Sequence, residues 1–235
     1  MVASVVAATS IAWPGSAVAG SRVAGCKPSP RSYSTGTPAK ALLSVVGVFR
    51  ERATAADRAF AREYVAAAAA NPGRFGGRIT FVDYFRIARV VDDVSYYLVP
   101  VIQVRCDGSE GPDGVEVMRG GGSYCCDYAP NIAQGKTAVS YDSGSSSAST
   151  TIVTLIPDGV ASVTIHLPAG ITRHYPRRPD GQLEQQYNKA YTTTTPIVGN
   201  LLVVTLPGAT GRFMYPLSLE WRNASGQVLR TFSQL

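Results

Sequence analysis

The sequence predicts an α+β protein in which two N-terminal helices and a β-hairpin pack with a C-terminal antiparallel β-sheet or small β-sandwich. Three observations carry that expectation. Two capped helical patterns fall before residue 71. From about residue 78 onward, runs rich in β-branched and aromatic residues alternate with turn-forming dipeptides. Finally, 45% of the 235 residues are apolar, enough to bury a sizeable core.

At the N-terminus, residues 2–19 carry no charge, are dominated by Ala and Val, and end in Ala17-Val18-Ala19. That small-x-small ending is what signal peptidase accepts, so cleavage after Ala19 is expected, although no basic residues precede the run. Pro14 and Gly15 break it, and a bilayer span needs about 20 apolar residues, so no transmembrane helix is expected. A second reading competes, because Val23-Ala24-Gly25-Cys26 has the form of a lipobox that would lipidate Cys26; Arg22 interrupts the apolar region it requires. Either way the protein is expected to be secreted or associated with the cell envelope. Residues 20–37, rich in Ser, Pro, Gly and Arg, read as a flexible tether.

Structure is expected to begin with Thr37 capping a short helix from Ala39 to about Val48, with Pro38 at its first position. A second helix starts at Thr54, which forms a capping-box pattern with Asp57 and is stopped by Asn71-Pro72-Gly73. Two strand-like runs, 78–91 and 94–106, then meet at Asp92-Asp93; Pro100 makes the second an edge strand or a bulged one. Residues 107–122 read as an acidic, glycine-rich loop, in which a calcium role for Asp107, Asp113 and Glu116 is outweighed by simple solvation. A helical turn near Pro130 and a short strand, 137–141, complete an α+β part over 38–142. The Ser/Gly-rich run 143–149 marks a boundary to an antiparallel β part over 150–235.

In that second part, residues 151–167 read as a hairpin turning at Pro157-Asp158-Gly159. Val163 and Ile165 would face a core, while Ser162, Thr164 and His166 face water, His166 exposed and unpartnered. Residues 174–178 form a basic loop, 200–206 a buried central strand, and Leu219 and Trp221 lie on the inner face of a last hairpin turning at 223–226.

Several of these segments carry a resemblance. Gly47-Val48-Phe49-Arg50, Thr54-Ala55-Ala56-Asp57-Arg58, Tyr97-Leu98-Val99-Pro100-Val101, Cys125-Cys126, the Ile156-Pro157-Asp158-Gly159-Val160-Ala161 turn, Asn200 and Trp221-Arg222 resemble a group of uncharacterised actinobacterial secreted or envelope-associated proteins. The resemblance implies export and a shared fold. It brings no catalytic or binding residues with it.

The four cysteines, Cys26, Cys106, Cys125 and Cys126, are an even number, and outside the cell they point to disulfides rather than metal ligation. Adjacent cysteines pair poorly with each other, so one of the doublet is expected to close on Cys106, leaving Cys26 open to the other. No metal site and no cofactor is expected. Net charge is +6, which outside the cell favours anionic envelope polymers and not nucleic acid. Tyr175, Arg177, Arg178 and Tyr187 mix cations and aromatics as an interface does, and are the expected binding residues for such a polymer or for a protein partner. The function expected is non-enzymatic binding or a structural role. The alternative is a secreted hydrolase with Ser143 as nucleophile and His166 and Asp142 as its only nominable helpers; the residues around Ser143 depart from the serine-protease pattern, with Tyr141 where a glycine should stand.

Overall fold

The structure is a computed structural model that describes residues 10–11, 32–70, 77–105, 107–119, 122–137, 139–142, 149–167, 169–177, 183–188, 190–207 and 218–233. Along the chain, β1 (Ser10–Ile11) and β2 (Ser32–Ser34) precede α1 (Lys40–Val45), a 3-10 turn Gly47–Arg50 and α2 (Ala55–Ala70). Next come β3 (Arg78–Phe81), a second 3-10 turn Val82–Tyr84, β4 (Arg86–Val91), β5 (Val94–Val104), β6 (Glu110–Arg119) and β7 (Gly122–Tyr128). After α3 (Ala129–Ala133), the chain is strand: β8 (Val139–Asp142), β9 (Ser149–Leu155), β10 (Ser162–Leu167), β11 (Gly170–Arg177), β12 (Leu183–Asn188), β13 (Tyr191–Pro196), β14 (Leu201–Pro207), β15 (Ser218–Arg222) and β16 (Val228–Ser233). The class is mixed α+β with strand predominating. No helix among the described residues is long and apolar enough to cross a membrane.

Residues near the start of α2 explain how it is held. Thr54 and Asp57 exchange bonds reciprocally: the Thr54 N–H donates to Asp57 Oδ2 at 2.7 Å and the Asp57 N–H to Thr54 Oγ1 at 3.1 Å. This is the capping box expected from the sequence. The second Asp57 oxygen accepts the Ile87 N–H at 2.7 Å, which ties the helix to β4. Ala61 and Tyr64 then bury against Phe85, Val99 and Val101. Before α2 the expected single helix is two short pieces, α1 and the first 3-10 turn, and Thr37 does not cap: the Ala39 N–H goes instead to the Asp113 carboxylate, while Thr37 Oγ1 bonds the Tyr84 hydroxyl.

Three sheets stack on one another. The first has the order β2-β3-β5-β6-β7, with β4 also on β5. The run 78–91, expected as one strand, is broken by the 3-10 turn Val82–Tyr84 into β3 and β4, both of which pair with β5. β4 and β5 form the expected hairpin at Asp92 and Asp93, both at positive φ, 49° and 62°. β5 is central and not an edge: it pairs with β6 on one side and with β4 then β3 on the other. Pro100 sits where β4 pairing has ended at Leu98 and β3 pairing has not begun at Val101, so its missing N–H falls in the break between those partners. In the stretch expected as a loop, the described residues 107–119 are a turn followed by β6. The Asp107 carboxylate closes that turn on the Ser109 N–H and hydroxyl, and Glu116 is buried beside Arg78 at 2.7 Å.

The second sheet, β1-β8-β9-β14, contains strands from either side of residues 143–148, and its β9 and β14 place apolar residues on both faces. Val153, Leu155, Leu201 and Val203 join a core with Leu42, Val46, Phe49, Tyr96, Leu98, Val115 and Ile132. Their neighbours Ile152, Leu202, Val204 and Leu206 join another with Val163, Ile165 and Trp221. β14 is buried on both faces as expected, yet it is the edge of its sheet among the described residues, covered by layers and not by further strands.

The third sheet is β13-β10-β15-β16. The 151–167 stretch is therefore not a hairpin. β9 pairs with β8 and β14, whereas β10 pairs with β13 and β15, and the turn between them carries the chain from one layer to the next. Its backbone groups bond outward: the Ile156 N–H to Asn200 O, the Asp158 N–H to Val45 O, and the Ala161 N–H to Arg222 O. Both edges of β9 are taken by β8 and β14 and both edges of β10 by β13 and β15, so the two strands do not pair with each other. The last expected hairpin, β15 to β16, is present, and Trp221 packs on Phe232 with ring centroids 4.7 Å apart. Gly135, at φ 66°, lies against both rings; a Cβ there would come within 2.5 Å of Phe232.

Candidate functional site

Three polar constellations stand out, and each follows from how its strands are placed. The first is an interlock between the N-terminal layer and the 157–159 turn. Asp158 Oδ1 accepts the Gly47 N–H at 2.8 Å and the Asn200 amide at 2.9 Å, and Oδ2 accepts Arg50 Nη2 at 2.7 Å. Asn200 also donates to Ile156 O at 3.1 Å and accepts the Val48 N–H at 3.0 Å, so all of its amide is used. Burial alone would raise the Asp158 carboxyl, but the Asn200, Arg50 and Gly47 hydrogen bonds outweigh it and hold the group below its ordinary range. A Cβ at Gly47 would lie 2.5 Å from Asp158 Oδ1, so a larger residue there would push the Asp158 carboxylate out of the clasp. Segments 47–50 and 156–158 and Asn200 meet here, and their chemistry is that of a clasp.

The second constellation is the outer face of the third sheet. The alternation that buries Val163 and Ile165 puts Thr164 and His166 on the opposite face. His166 is partly exposed there, but Thr164 is buried, at 5% exposure, contrary to the expectation that it faces water, because the neighbouring strands and the Arg222 side chain cover it. Cross-strand register sets Thr192 and Thr194 on one side and Glu220 and Arg222 on the other. His166 Nδ1 lies 3.2 Å from Thr192 Oγ1 and Nε2 lies 3.7 Å from Glu220 Oε1; Glu220 is bonded by Arg222 Nη2, and Arg222 Nε donates to Thr164 Oγ1 at 3.1 Å, itself 2.9 Å from Thr194 Oγ1. His166 is thus partly exposed but partnered, contrary to the expectation that it stands alone.

The third is an arm. β11 and β12 pair, among the described residues, only with each other. Their register continues that of β10 and β13 without a slip: Leu167 faces Tyr191, and three residues on, Gly170 faces Asn188. The expected basic loop is therefore largely strand. Tyr175 and Arg177 lie on β11, and Tyr187 lies on β12 opposite Ile171; Arg177 faces Leu183 beyond a bulge, so the register spreads these residues along the ribbon instead of gathering them. Arg178 lies outside the described residues.

The hydrolase candidates are distributed differently. Asp142 ends β8 in the second sheet, His166 is on the third, and Ser143 lies outside the described residues. Cys26 and Cys106 also lie outside them. The cysteine doublet departs from expectation: the sulfurs of Cys125 and Cys126 stand at disulfide distance from each other, across a cis peptide bond. Register supplies the reason. Val117 faces Tyr124 and Val115 faces Asp127, so two residues of β7 oppose one of β6, and this bulge turns both cysteines to the same face.

Sequence reasoning missed the buried Glu116–Arg78 pair, because the two are 38 residues apart. It also passed over Thr192 and Thr194, whose signal was the alternation hidden in Thr192-Thr193-Thr194-Thr195. No protein-family model matches this chain, and neither curated proteins nor solved structures show a significant match to it.

Proposed function

We propose that the protein is an exported, non-enzymatic binding or structural module acting at the cell envelope or in the medium, and that it engages an anionic polymer through the β11–β12 arm. The observation that carries this reading is that the arm starts in the same register in which β10 and β13 end. Eight residues of β11, at roughly 3.3 Å each, extend a ribbon by about 26 Å and bring Arg173, Tyr175, Arg177 and Tyr187 along it, with Arg178 next in the chain. Two N-terminal helices and a hairpin packed with a C-terminal antiparallel β part form its scaffold. Net charge of +6 and the uncharged run ending in Ala17-Val18-Ala19 support an exported cationic binder.

The test is cosedimentation of the chain starting at Gly20 with isolated envelope polymer at low and at raised salt. Wild type should pellet at low salt and be released as salt screens the contact. An Arg177→Glu/Arg178→Glu variant should stay in the supernatant several-fold more. Equal pelleting of variant and wild type would move the binding face away from the arm. Mass spectrometry of the protein from its native host reads the export step independently, as cleavage after Ala19 or as a lipidated Cys26.

A further inference from the structure

We propose that Cys125 and Cys126 form a binding site for a soft, thiophilic cation of the Cu(I) class, closed as a disulfide and opened by reduction. The bulge in β7 places both sulfur atoms on the face that looks toward α2, where Met118 packs against the same cluster of Phe85, Val99, Val101 and Tyr64. Parity confirms the shared face. Tyr124 packs into the core on the opposite side of the sheet, and Asp127 faces Val115 of that same core, three residues on instead of two. Both cysteines are only partly buried, and β7 is the last strand of its sheet among the described residues, so the pair is reachable from solvent.

The donor set is soft. Thiolates select Cu(I)-type ions over the hard cations that carboxylates prefer. The carboxylate opposite the bulge, Glu116, is engaged by Arg78 at 2.7 Å. The chemistry balances simply. A small thiol reductant delivers two electrons and two protons to the S–S bond, is itself oxidised to its disulfide, and leaves two Cys thiols. Each thiol then releases its proton as its sulfur bonds the ion, so affinity rises with pH.

Two measurements on the whole chain decide the matter. Tryptic mapping of unreduced protein should find the peptide 120–136, which holds both cysteines, lighter by two hydrogens and linked to no other peptide. A bridge from it to the peptide of Cys106 or of Cys26 overturns the proposal without any variant being made. The second measurement titrates phosphine-reduced, oxygen-free protein with Cu(I) held by a coloured chelator. Wild type and Cys106→Ser should withdraw one equivalent, and Cys125→Ser/Cys126→Ser should withdraw none while keeping its helical circular dichroism. Equal withdrawal by that double variant, or loss of withdrawal in Cys106→Ser, refutes the site.

Discussion

Asn200 shows what one side chain can hold. Its φ of 60° lies in the left-handed region, which Asn tolerates better than other non-glycine residues. Its amide ties its own strand to two other segments, through Ile156 O and Asp158 Oδ1 of the 156–158 turn and through the Val48 N–H. Replacement by Ala would leave the buried Val48 N–H and Ile156 carbonyl short of a partner, at about 1–3 kcal/mol each, and would add left-handed strain. Asn200→Ala is therefore expected to lower unfolding free energy by roughly 3 kcal/mol in urea titration. Asn200→Gly separates the two causes, because it relieves the backbone and restores no bond. It should remain nearly as unstable as Asn200→Ala; stability close to wild type would show that the position needs only the backbone angle. Nothing in the sequence around Asn200 announces this role beyond its place before an apolar run, since each partner lies more than 40 residues away.

Elements whose determinants are local were the legible ones. Thr54 and Asp57 are one helical turn apart, and the capping box they predict is the one that forms. The β4–β5 hairpin was equally plain, and its turn can be improved. Both central residues, Asp92 and Asp93, have positive φ, the geometry in which Asn-Gly is the favoured pair. Asp92→Asn/Asp93→Gly removes left-handed strain and two adjacent like charges, and should raise stability by about 1 kcal/mol, read as a higher Tm. A lowered Tm would mean that the carboxylates themselves secure the turn. The 157–159 turn marks where local reading stopped. Its turn chemistry was visible, but whether β9 returns on β10 depends on β8 and β14 occupying both edges of β9, and on Asp158 being claimed by Gly47, Arg50 and Asn200. The doublet of cysteines failed for the same reason: a one-residue bulge, set by pairing with β6, decides which way both side chains face. Pro100 likewise looked like an edge marker because the break between β3 and β4 that accommodates it is invisible in β5 itself.

At the scale of the molecule, the second sheet governs how the protein unfolds. Successive residues of β14 serve different cores: Leu201 and Val203 pack toward the first sheet, Leu202, Val204 and Leu206 toward the third. A strand cannot leave one core and stay in the other, so neither layer should melt by itself. Trp221, in the core with the third sheet, is the only tryptophan of a chain that starts after Ala19, and its fluorescence reports that side. Helical ellipticity reports α2, on the far face of the first sheet. In urea the two signals should change together, with one midpoint and one slope, as a two-state domain requires. Leu202→Ala removes packing only from the third-sheet side and should cost about 2–5 kcal/mol, yet it should shift both signals equally. If Trp221 fluorescence moved to lower urea while the helix signal stayed in place, the two cores would be independent units. The alternating burial of β14 would then be a contact between domains and not the shared centre of one.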